Sequence, residues 1–310
     1  MSRSGRRADD NHGFENVTNR RASEGYPPPV DGPRPIVFVT DFGLESEWVG
    51  ICHAVMCKVA PASRVIDLSH FIEPLDVEAG ARMLSDSLAY LPDDAVLLAV
   101  VDPNVGKDRD IAVETGDGRL LVGPDNGLMS STWAASGGAR RAVEITSPDV
   151  ILGPVVASFH ARDVLCPAAA HLASGMPLKQ LGDEFEPGSL VSLVVRRPQV
   201  ERGKIRCEVI DHNRFGNIQL NVRKQDLGVA GLDGVARLAV EGLAGWVEAR
   251  RGETFADFAP GEYGVIFDPR GWLTIVRGNP GNAIKDLHLS VGDMVWITAA
   301  EEWEPQAKTA

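Results

Sequence analysis

Residues 95–109 read A-V-L-L-A-V-V-D-P-N-V-G-K-D-R, and this stretch decides the fold. Seven consecutive apolar residues end at Asp102, and Pro103 and Gly106 follow. A continuous apolar run that stops at turn residues is typical of a parallel strand that is buried on both faces and enters a loop at its carboxyl end. Open α/β sheets bind ligands beside those carboxyl ends. Asp102 and Arg109 are therefore candidate site residues.

A second apolar strand strengthens this interpretation. Residues 36–40 read I-V-F-V-T, and Asp41 and then Gly43 follow them. An aspartate and an arginine next to a turn are, by themselves, most often a turn residue and a surface residue. Two strands that each deliver a carboxylate to the same edge of a sheet indicate a polar site instead.

The chain between residues 34 and 190 alternates between strand and helix patterns. Apolar residues recur at helical spacing over 45–59, and Asp76 is positioned as the N-cap of a second helix. This alternation predicts an N-terminal α/β layered domain with a mostly parallel sheet over residues 34–190. The other signals are a short strand at 65–68, a hairpin of 111–113 with 119–122 turned at 116–118, and a short helix that ends at Gly175.

After about residue 190 the helical pattern disappears, and short β-like runs with glycine-rich breaks replace it. Regularly spaced short strands predict a small β-barrel or sandwich, and we expect a C-terminal small β-barrel domain over residues 191–305. Residues 1–33 are rich in Arg, Asp, Asn, Gly and Pro, which predicts a disordered leader. The β-like runs are 190–195, 204–210, 236–240, 263–267, 272–276 and 294–297.

The composition limits the classes of partner. Of the 310 residues, 44% are hydrophobic and 24% are charged, as in globular proteins with a sizeable core. The net charge of −12 argues against nucleic acid or an anionic membrane surface as the main partner. The sequence has neither an apolar run long enough to cross a bilayer nor the apolar core of a signal peptide, so we expect a cytoplasmic protein. The four cysteines form no C-x-x-C pair, so no zinc or redox motif is indicated.

Common catalytic motifs do not fit this sequence. Residues 41–43 match the D-F-G of protein kinases, but no H-R-D loop and no glycine-rich loop precede them. The P-loop, dinucleotide, serine-hydrolase and zinc-protease motifs are also missing. What remains is Asp102, Arg109 and His160, each beside a turn or a strand end, and histidine is the usual general base near neutral pH. We interpret His53, His70, His171 and His288 as packing or surface residues.

A family resemblance rests on six motifs that occur in a fixed order. Together they resemble the S-adenosyl-L-methionine (SAM) hydroxide adenosyltransferases, which are relatives of the fluorinating and chlorinating enzymes that act on the same substrate. The resemblance covers roughly residues 34–300, and six motifs in register are far more specific than one. The motifs are T-D-F-G (40–43), V-D-P-N-V-G-K-D-R (101–109), G-P-D-N-G-L (123–128), F-H-A-R-D (159–163), D-H-N-R-F-G-N (211–217) and R-G-N-P-G-N-A (277–283).

This resemblance implies a role for each matching residue. The water-activating triad of the family falls on Asp102, Arg109 and His160. The aspartate that binds both ribose hydroxyls matches Asp41, and the aspartate that holds the methionine amine matches Asp211. The other implied binding residues are Phe215 and Asn217 beside adenine, Arg277 and Asn279 in a loop whose backbone reads the adenine edge, and Arg270 near the methionine carboxylate.

The sequence also departs from the family pattern. Asn104 stands where the family usually has Gly, Ala161 replaces the usual Gly after His160, and Pro269 occupies a position often held by Ser. The loop that begins at Asp211 is slightly longer than usual.

The implied activity is hydrolysis of SAM to adenosine and L-methionine by in-line attack of an activated water or hydroxide on C5′. The resemblance further implies that neither cofactor nor metal is used and that the protein is a homotrimer with sites at subunit interfaces. The halogenating relatives replace both the triad aspartate and the triad histidine, so Asp102 and His160 disfavour a SAM-dependent halogenase. A non-catalytic protein that binds SAM or adenosine is the other alternative.

Overall fold

The computed structural model describes residues 32–243 and 245–302. The chain forms two compact units that divide between Leu193 and Val194, whereas the sequence analysis places the boundary between residues 190 and 191. The leader expected at 1–33 lies outside the described residues except for its last two positions. Within the described ranges, no helix is both long and apolar enough to span a membrane.

A seven-stranded sheet forms the centre of the first unit, with the strand order β2-β1-β3-β5-β4-β6-β7. Neighbours from β2 to β5 pair in parallel, and β4 and β7 each run antiparallel to their neighbours. Five of the seven strands therefore point the same way, which confirms the predicted α/β class with a mostly parallel sheet. The strands are β1 (Ile36–Thr40), β2 (Val65–Ser69), β3 (Val96–Val100), β4 (Asp110–Thr115), β5 (Leu120–Pro124), β6 (Ala139–Ile145) and β7 (Gly182–Phe185).

Two of these strands set the position of the candidate site. Every residue of β1 and of β3 is buried, as their uninterrupted apolar sequences predict. The two strands pair in register from Ile36 opposite Val96 to Thr40 opposite Val100. The loops that carry Asp41 and Asp102 consequently leave the sheet at the same edge.

Helices cover both faces of this sheet. On one face, α1 and α4 pack with Phe38 and Leu98 in one apolar cluster. On the other face, Leu84 of α2 and Trp133 of α3 pack with Leu97 in a second cluster. The predicted helix over 45–59 begins three residues later, at Trp48. The helices are α1 (Trp48–Val59), α2 (Val77–Ser87), α3 (Ser130–Ala135) and α4 (Cys166–Ala173).

Three local predictions in this unit are confirmed. Asp76 is the N-cap of α2, because its Oδ1 accepts a hydrogen bond from the amide of Ala79 at 2.8 Å. The hairpin is formed by β4 and β5, and its strands are longer than predicted. The predicted short helix is α4, followed by Gly175 with a φ of +94°. β6, β7 and α3 were not predicted.

The second unit is a barrel of seven strands that closes where β10 pairs with β9. An eighth strand, β8, pairs only with β9 on the outside of the ring. The ring confirms the predicted β-barrel over the sandwich. The strands are β8 (Gln199–Glu201), β9 (Lys204–His212), β10 (Ile218–Leu220), β11 (Arg237–Gly242), β12 (Gly245–Arg251), β13 (Tyr263–Phe267), β14 (Leu273–Arg277) and β15 (Met294–Ala299).

The prediction of a strand over 190–195 is wrong, since residues 190–198 have no regular secondary structure. The amide of Val191 donates to Asp125 Oδ1 at 2.9 Å, and the amide of Leu193 donates to Ser130 Oγ at 3.2 Å. These amides therefore bond to side chains instead of to a neighbouring strand.

The expectation that helices end after residue 190 is also wrong. The barrel carries α5 (Lys224–Ala230) and the single turn α6 (Ala283–Asp286). Asp226 Oδ2 accepts the amide of Arg223 at 2.7 Å and fixes the start of α5, while Gly231 ends it with a φ of +74°. Capping interactions fix the ends of these short helices, and the helices are too short to show a repeating apolar pattern in the sequence.

Candidate active site

The loop after β3 turns back sharply at its start. Asp102 Oδ1 accepts a hydrogen bond from the amide of Asn104 at 2.9 Å, which is the local turn that an aspartate favours at this position. Gly106 has a φ of +79°, and a Cβ there would lie 2.8 Å from the carbonyl oxygen of Ala157. The glycine thus lets the loop with Asp102 pack against the segment that leads to His160.

His160 directly precedes a π-helical turn, Ala161–Leu165, that continues into α4. Single π turns within helices occur frequently at functional sites. Asp163 fixes the turn, because its Oδ2 accepts the amide of Val156 at 2.8 Å and its two oxygens bind the Arg162 guanidinium at 2.6 and 2.8 Å. Burial alone would raise the pKa of Asp163, but these hydrogen bonds outweigh it and lower the pKa.

The partner of His160 is Asp110, which the sequence analysis missed. Nδ1 of His160 lies 2.6 Å from Asp110 Oδ2, and Asp110 is the first residue of β4 and only 8% exposed. Burial raises the pKa of Asp110, while the nearby His160 acts in the opposite direction. A carboxylate at Nδ1 holds the proton there and leaves Nε2 as the nitrogen that accepts a proton.

Asp102 interacts electrostatically with the other groups of this edge. Burial raises its pKa, and the amide of Asn104 partly offsets the effect. Asp108 and Asp41 raise the pKa further, and His160 lowers it. The charges of Asp41 and His160 thus both act on Asp102 at this edge of the sheet.

Arg109 pairs with a different carboxylate, Asp125. Its Nε and Nη2 donate to Asp125 Oδ2 at 3.1 and 2.5 Å, and Nη2 also donates to the carbonyl oxygen of Ser189 at 3.2 Å. The guanidinium carbon lies 4.2 Å from the centre of the Phe185 ring. Asp125 belongs to the G-P-D-N-G-L motif. Both of its carboxylate oxygens have partners, because Oδ2 binds Arg109 and Oδ1 accepts a hydrogen bond from the amide of Val191.

Asp125 enters the sequence argument only within the G-P-D-N-G-L motif, and Asn126, the next residue, explains why it lies here. The side-chain amide of Asn126 donates to the carbonyl oxygen of Val101 at 2.9 Å. The turn is thereby attached to the end of β3, next to Asp102. Among the described residues, the ion pair of Arg109 is made with Asp125 and not with Asp102 or His160.

Asp41 shares its edge with three aromatic rings. Its Oδ2 accepts the amide of Leu75 at 2.8 Å, which ties the loop after β1 to the loop before α2. The adjacent Phe42 ring packs edge-on against Trp48 at 5.8 Å and against Phe159 at 6.4 Å between ring centres. The residues next to Asp41 and His160 are therefore in direct contact.

In the barrel unit, the structure places Asp211 and Arg270 together. Nη2 of Arg270 lies 3.5 Å from Asp211 Oδ2, and Nε lies 3.4 Å from Asp268 Oδ2. Asp268 is also bound by the side-chain amide of Gln219 at 2.5 Å. Asp268 was not predicted, although it follows β13 in the same way that Asp41 follows β1.

Phe215 and Asn217 lie on one turn of the same unit. The side-chain oxygen of Asn213 accepts the amides of both residues, at 3.0 and 3.2 Å. Phe215 is 71% exposed, whereas Asn217 is buried. Gly216 between them has a φ of +81°, and a Cβ there would collide with Asn282. This turn therefore packs against the loop that follows β14.

That loop begins with Arg277 and Asn279. Arg277 forms an ion pair with Asp286 of α6, and its guanidinium lies 4.8 Å from the centre of the Tyr263 ring. Asn279 is exposed. The structure thus brings Phe215, Asn217 and the loop of Arg277 together within the barrel unit.

The chain is similar to known proteins over most of its length. The family model of the SAM hydroxide adenosyltransferase N-terminal domain matches residues 36–182, and that of the C-terminal domain matches residues 207–296. An (R)-S-adenosyl-L-methionine hydrolase of Salinispora tropica is 43% identical over 266 residues, which are 85% of this chain and 97% of that protein. A fluorinase of an Actinoplanes species is 27% identical over 301 residues, which are 88% of this chain and 100% of that protein.

A solved structure is similar over the same part of the chain. The crystal structure of a conserved protein from Thermotoga maritima superposes with a TM-score of 0.77 at 32% identity, and the match covers 85% of this chain and 99% of that one. Both family models, the relatives and the six ordered motifs lead to the same conclusion. The chain belongs to the SAM hydroxide adenosyltransferase family.

Proposed function

We propose that this protein hydrolyses SAM to adenosine and L-methionine. The observation that carries the proposal is the pair of His160 and Asp110 beside the carboxylate of Asp102. A histidine held by one carboxylate and lying near a second is suited to orient and deprotonate a water molecule. The family and the 43% identical hydrolase support the choice of SAM.

The chemistry needs few catalytic groups. A water oxygen attacks C5′ of the ribose while the C5′–S bond breaks, and the bonding electron pair stays on sulfur as the neutral thioether of methionine. Because a thioether is a good leaving group, no general acid has to protonate it. The attacking water gives up one proton and becomes the 5′-hydroxyl of adenosine. The protein has to align the water with the C5′–S bond and accept that proton.

His160 is suited to accept the proton. Its Nδ1 is bound to Asp110, so its Nε2 carries the lone pair, and Asp110 stabilises the imidazolium that forms. Asp102 supplies a second carboxylate to orient the water. We assign Arg109 an indirect role. Asp125 and Phe185 hold its guanidinium in a fixed position, and Arg109 lies on the same loop as Asp102.

The other residues are assigned to the parts of the substrate. Asp41 binds the ribose hydroxyls with the oxygen that Leu75 leaves open. Asp211 and Arg270 lie 3.5 Å apart and carry opposite charges, so together they match the ammonium and carboxylate of the methionine zwitterion. The adenine site is assigned to Phe215, Asn217, Arg277 and Asn279.

The proposal includes the conditions of the reaction. The reaction proceeds without a cofactor and without a metal ion, since every step is assigned to a side chain or to water. The active protein is a homotrimer with its sites at subunit interfaces and works in the cytoplasm. The family resemblance supports the assembly.

Incubation of the purified protein with SAM in ¹⁸O-labelled water tests the function directly. We expect adenosine that carries one labelled oxygen and an equal amount of L-methionine, because the new 5′-hydroxyl comes from solvent. The same assay with added chloride or fluoride separates the alternatives. A halogenated nucleoside would show that the protein is a halogenase. Tight SAM binding with no product would show that it is a binding protein.

The role of Asp110 is tested by Asp110→Asn, which keeps the shape of the side chain and removes its charge. We expect kcat to fall roughly 10²- to 10⁴-fold with KM nearly unchanged, because the amide no longer holds His160 in the proton-accepting tautomer. Glu144→Gln is the matched control. Glu144 acts electrostatically on Asp110 but does not bind His160, so this variant should keep its turnover. Equal kcat values in the two variants would show that Asp110 takes no part in the mechanism.

The side chains at the sheet edge act on different parts of the reaction, so their substitutions should have two different kinetic effects. His160→Ala and Asp102→Ala should lower kcat by about 10²- to 10⁴-fold with little effect on KM, because both side chains act on the water. Asp41→Ala should mainly raise KM, since the ribose hydroxyls are present in substrate and transition state alike. Steady-state kinetics check this, and an Asp102→Ala variant with wild-type kcat and raised KM would contradict the assignment.

The assembly predicts complementation between inactive chains. Asp41→Ala and Asp211→Ala proteins are unfolded, mixed and refolded together, and the trimers are isolated by size-exclusion chromatography. If each site takes Asp41 from one subunit and Asp211 from another, some mixed trimers contain an intact site and regain activity. Refolding each variant alone is the control. Mixed trimers that stay as inactive as both parents, or a fully active monomer, would contradict the shared site.

A further inference from the structure

Three side chains form a compact cluster next to the candidate active site but separate from it. They are His53 on α1, Asp67 on β2 and His70 at the end of β2. Asp67 Oδ1 lies 2.8 Å from His53 Nε2 and 3.1 Å from His70 Nε2. None of the groups assigned to the reaction belongs to this cluster. The sequence analysis interpreted both histidines as packing or surface residues.

The spacing of these atoms matches that of ligands around a metal ion. One ligand atom from each residue lies within 4.8 Å of the other two. Zinc binds imidazole nitrogen at about 2.0–2.1 Å and carboxylate oxygen at about 2.0–2.2 Å in tetrahedral geometry, so its ligand atoms lie roughly 3.3 Å apart. Small side-chain rotations would bring the three atoms to that separation.

His70 provides a second and independent observation. Its side chain is 3% exposed, and Nε2 has no accessible surface and makes no hydrogen bond with any described residue, although Asp67 is near. A buried ring nitrogen without a hydrogen bond is destabilising. A cation between His70 and Asp67 would satisfy that nitrogen and neutralise the carboxylate at the same time.

The surroundings orient His70 in the way that metal ligands are usually oriented. Its Nδ1 lies 2.9 Å from Thr40 Oγ1, and Thr40 Oγ1 also accepts the amide of Phe42 at 3.1 Å. When Nδ1 donates to this hydroxyl, the lone pair of Nε2 points at the cluster. The Phe38 ring packs edge-on against the imidazole with 4.9 Å between ring centres, which prevents the ring from rotating.

The cluster is also open to solvent on one side. The side chains of His53 and Asp67 are 34% and 46% exposed, so an ion can enter and water can complete its coordination. Two imidazoles and one carboxylate suit zinc and the neighbouring first-row divalent metals better than magnesium or calcium, which prefer oxygen ligands.

We propose that His53, Asp67 and His70 form a binding site for one divalent transition-metal ion, with zinc as the representative. The ion connects α1 to β2 and to the loop that follows. That loop is attached to the candidate active site, because the carbonyl oxygen of His70 accepts the amide of Gly43 at 2.7 Å. The role of the ion is to stabilise this part of the fold. It takes no part in the hydrolysis, which the proposed function assigns to other side chains.

The test uses the full chain after treatment with EDTA. Titration with zinc chloride in a calorimeter should show one ion bound per chain, and thermal denaturation should show a higher Tm with zinc than without it. Cobalt(II) is the spectroscopic probe, and it should give the intense visible absorption of a four- or five-coordinate ion. No zinc binding at millimolar concentration, with no change in Tm, would overturn the proposal.

Substitutions locate the ion within the molecule. His53→Gln and Asp67→Asn each remove one ligand at a partly exposed position. Loss of a residue that only hydrogen-bonds to a metal ligand weakens metal binding by roughly 10- to 100-fold, and loss of a ligand itself should weaken zinc binding by more than that. His171→Gln, which removes an imidazole from α4, is the matched control and should bind zinc as the wild type does. Wild-type affinity in both ligand variants would mean that the three residues are a hydrogen-bonded cluster only and would overturn the site.

Discussion

The parallel pairing of β1 with β3 is the constraint on which the candidate site depends. Both strands are buried on both faces, so each backbone amide has to find its partner in the neighbouring strand. Because an apolar cluster covers each face, a slip of one residue would exchange side chains between the two clusters, and each cluster would lose its close packing. The register from Ile36–Thr40 to Val96–Val100 is therefore fixed, and with it the relative position of Asp41 and Asp102. The sheet, and not the loops, determines where these carboxylates lie.

Much of the fold could be predicted from local patterns because burial alone produces those patterns. The apolar runs of β1 and β3 and the cap at Asp76 are strong local signals, and each is found in the structure. The run at 190–195 has the same composition as a strand but lacks a neighbouring strand with free backbone groups. Its amides bond instead to Asp125 and Ser130, which are distant in sequence. Composition can indicate that a segment is apolar, but it does not reveal what the segment pairs with.

The site shows the same division between local and distant information. Asp41 and Asp102 could be predicted because they follow recognisable strands. His160 was identified mainly through its motif, and its partner Asp110 was missed because the two are 50 residues apart. Asp110 begins a strand that runs antiparallel to β5, and only this topology brings its carboxylate to the histidine. Asp125 was known only as a member of its motif, and its ion pair with Arg109 depends equally on how the strands are ordered.

The closure of the barrel limits how this chain can aggregate or associate. A closed ring has no free strand edge, and in the described part of the chain the exposed edges are β2, β7 and β8, none longer than five residues. Short edges offer few unpaired amides to a foreign strand, so misdirected pairing between chains is disfavoured. Any contact between copies therefore depends more on side-chain packing than on strand pairing, and surface substitutions can alter such a contact without disturbing either sheet.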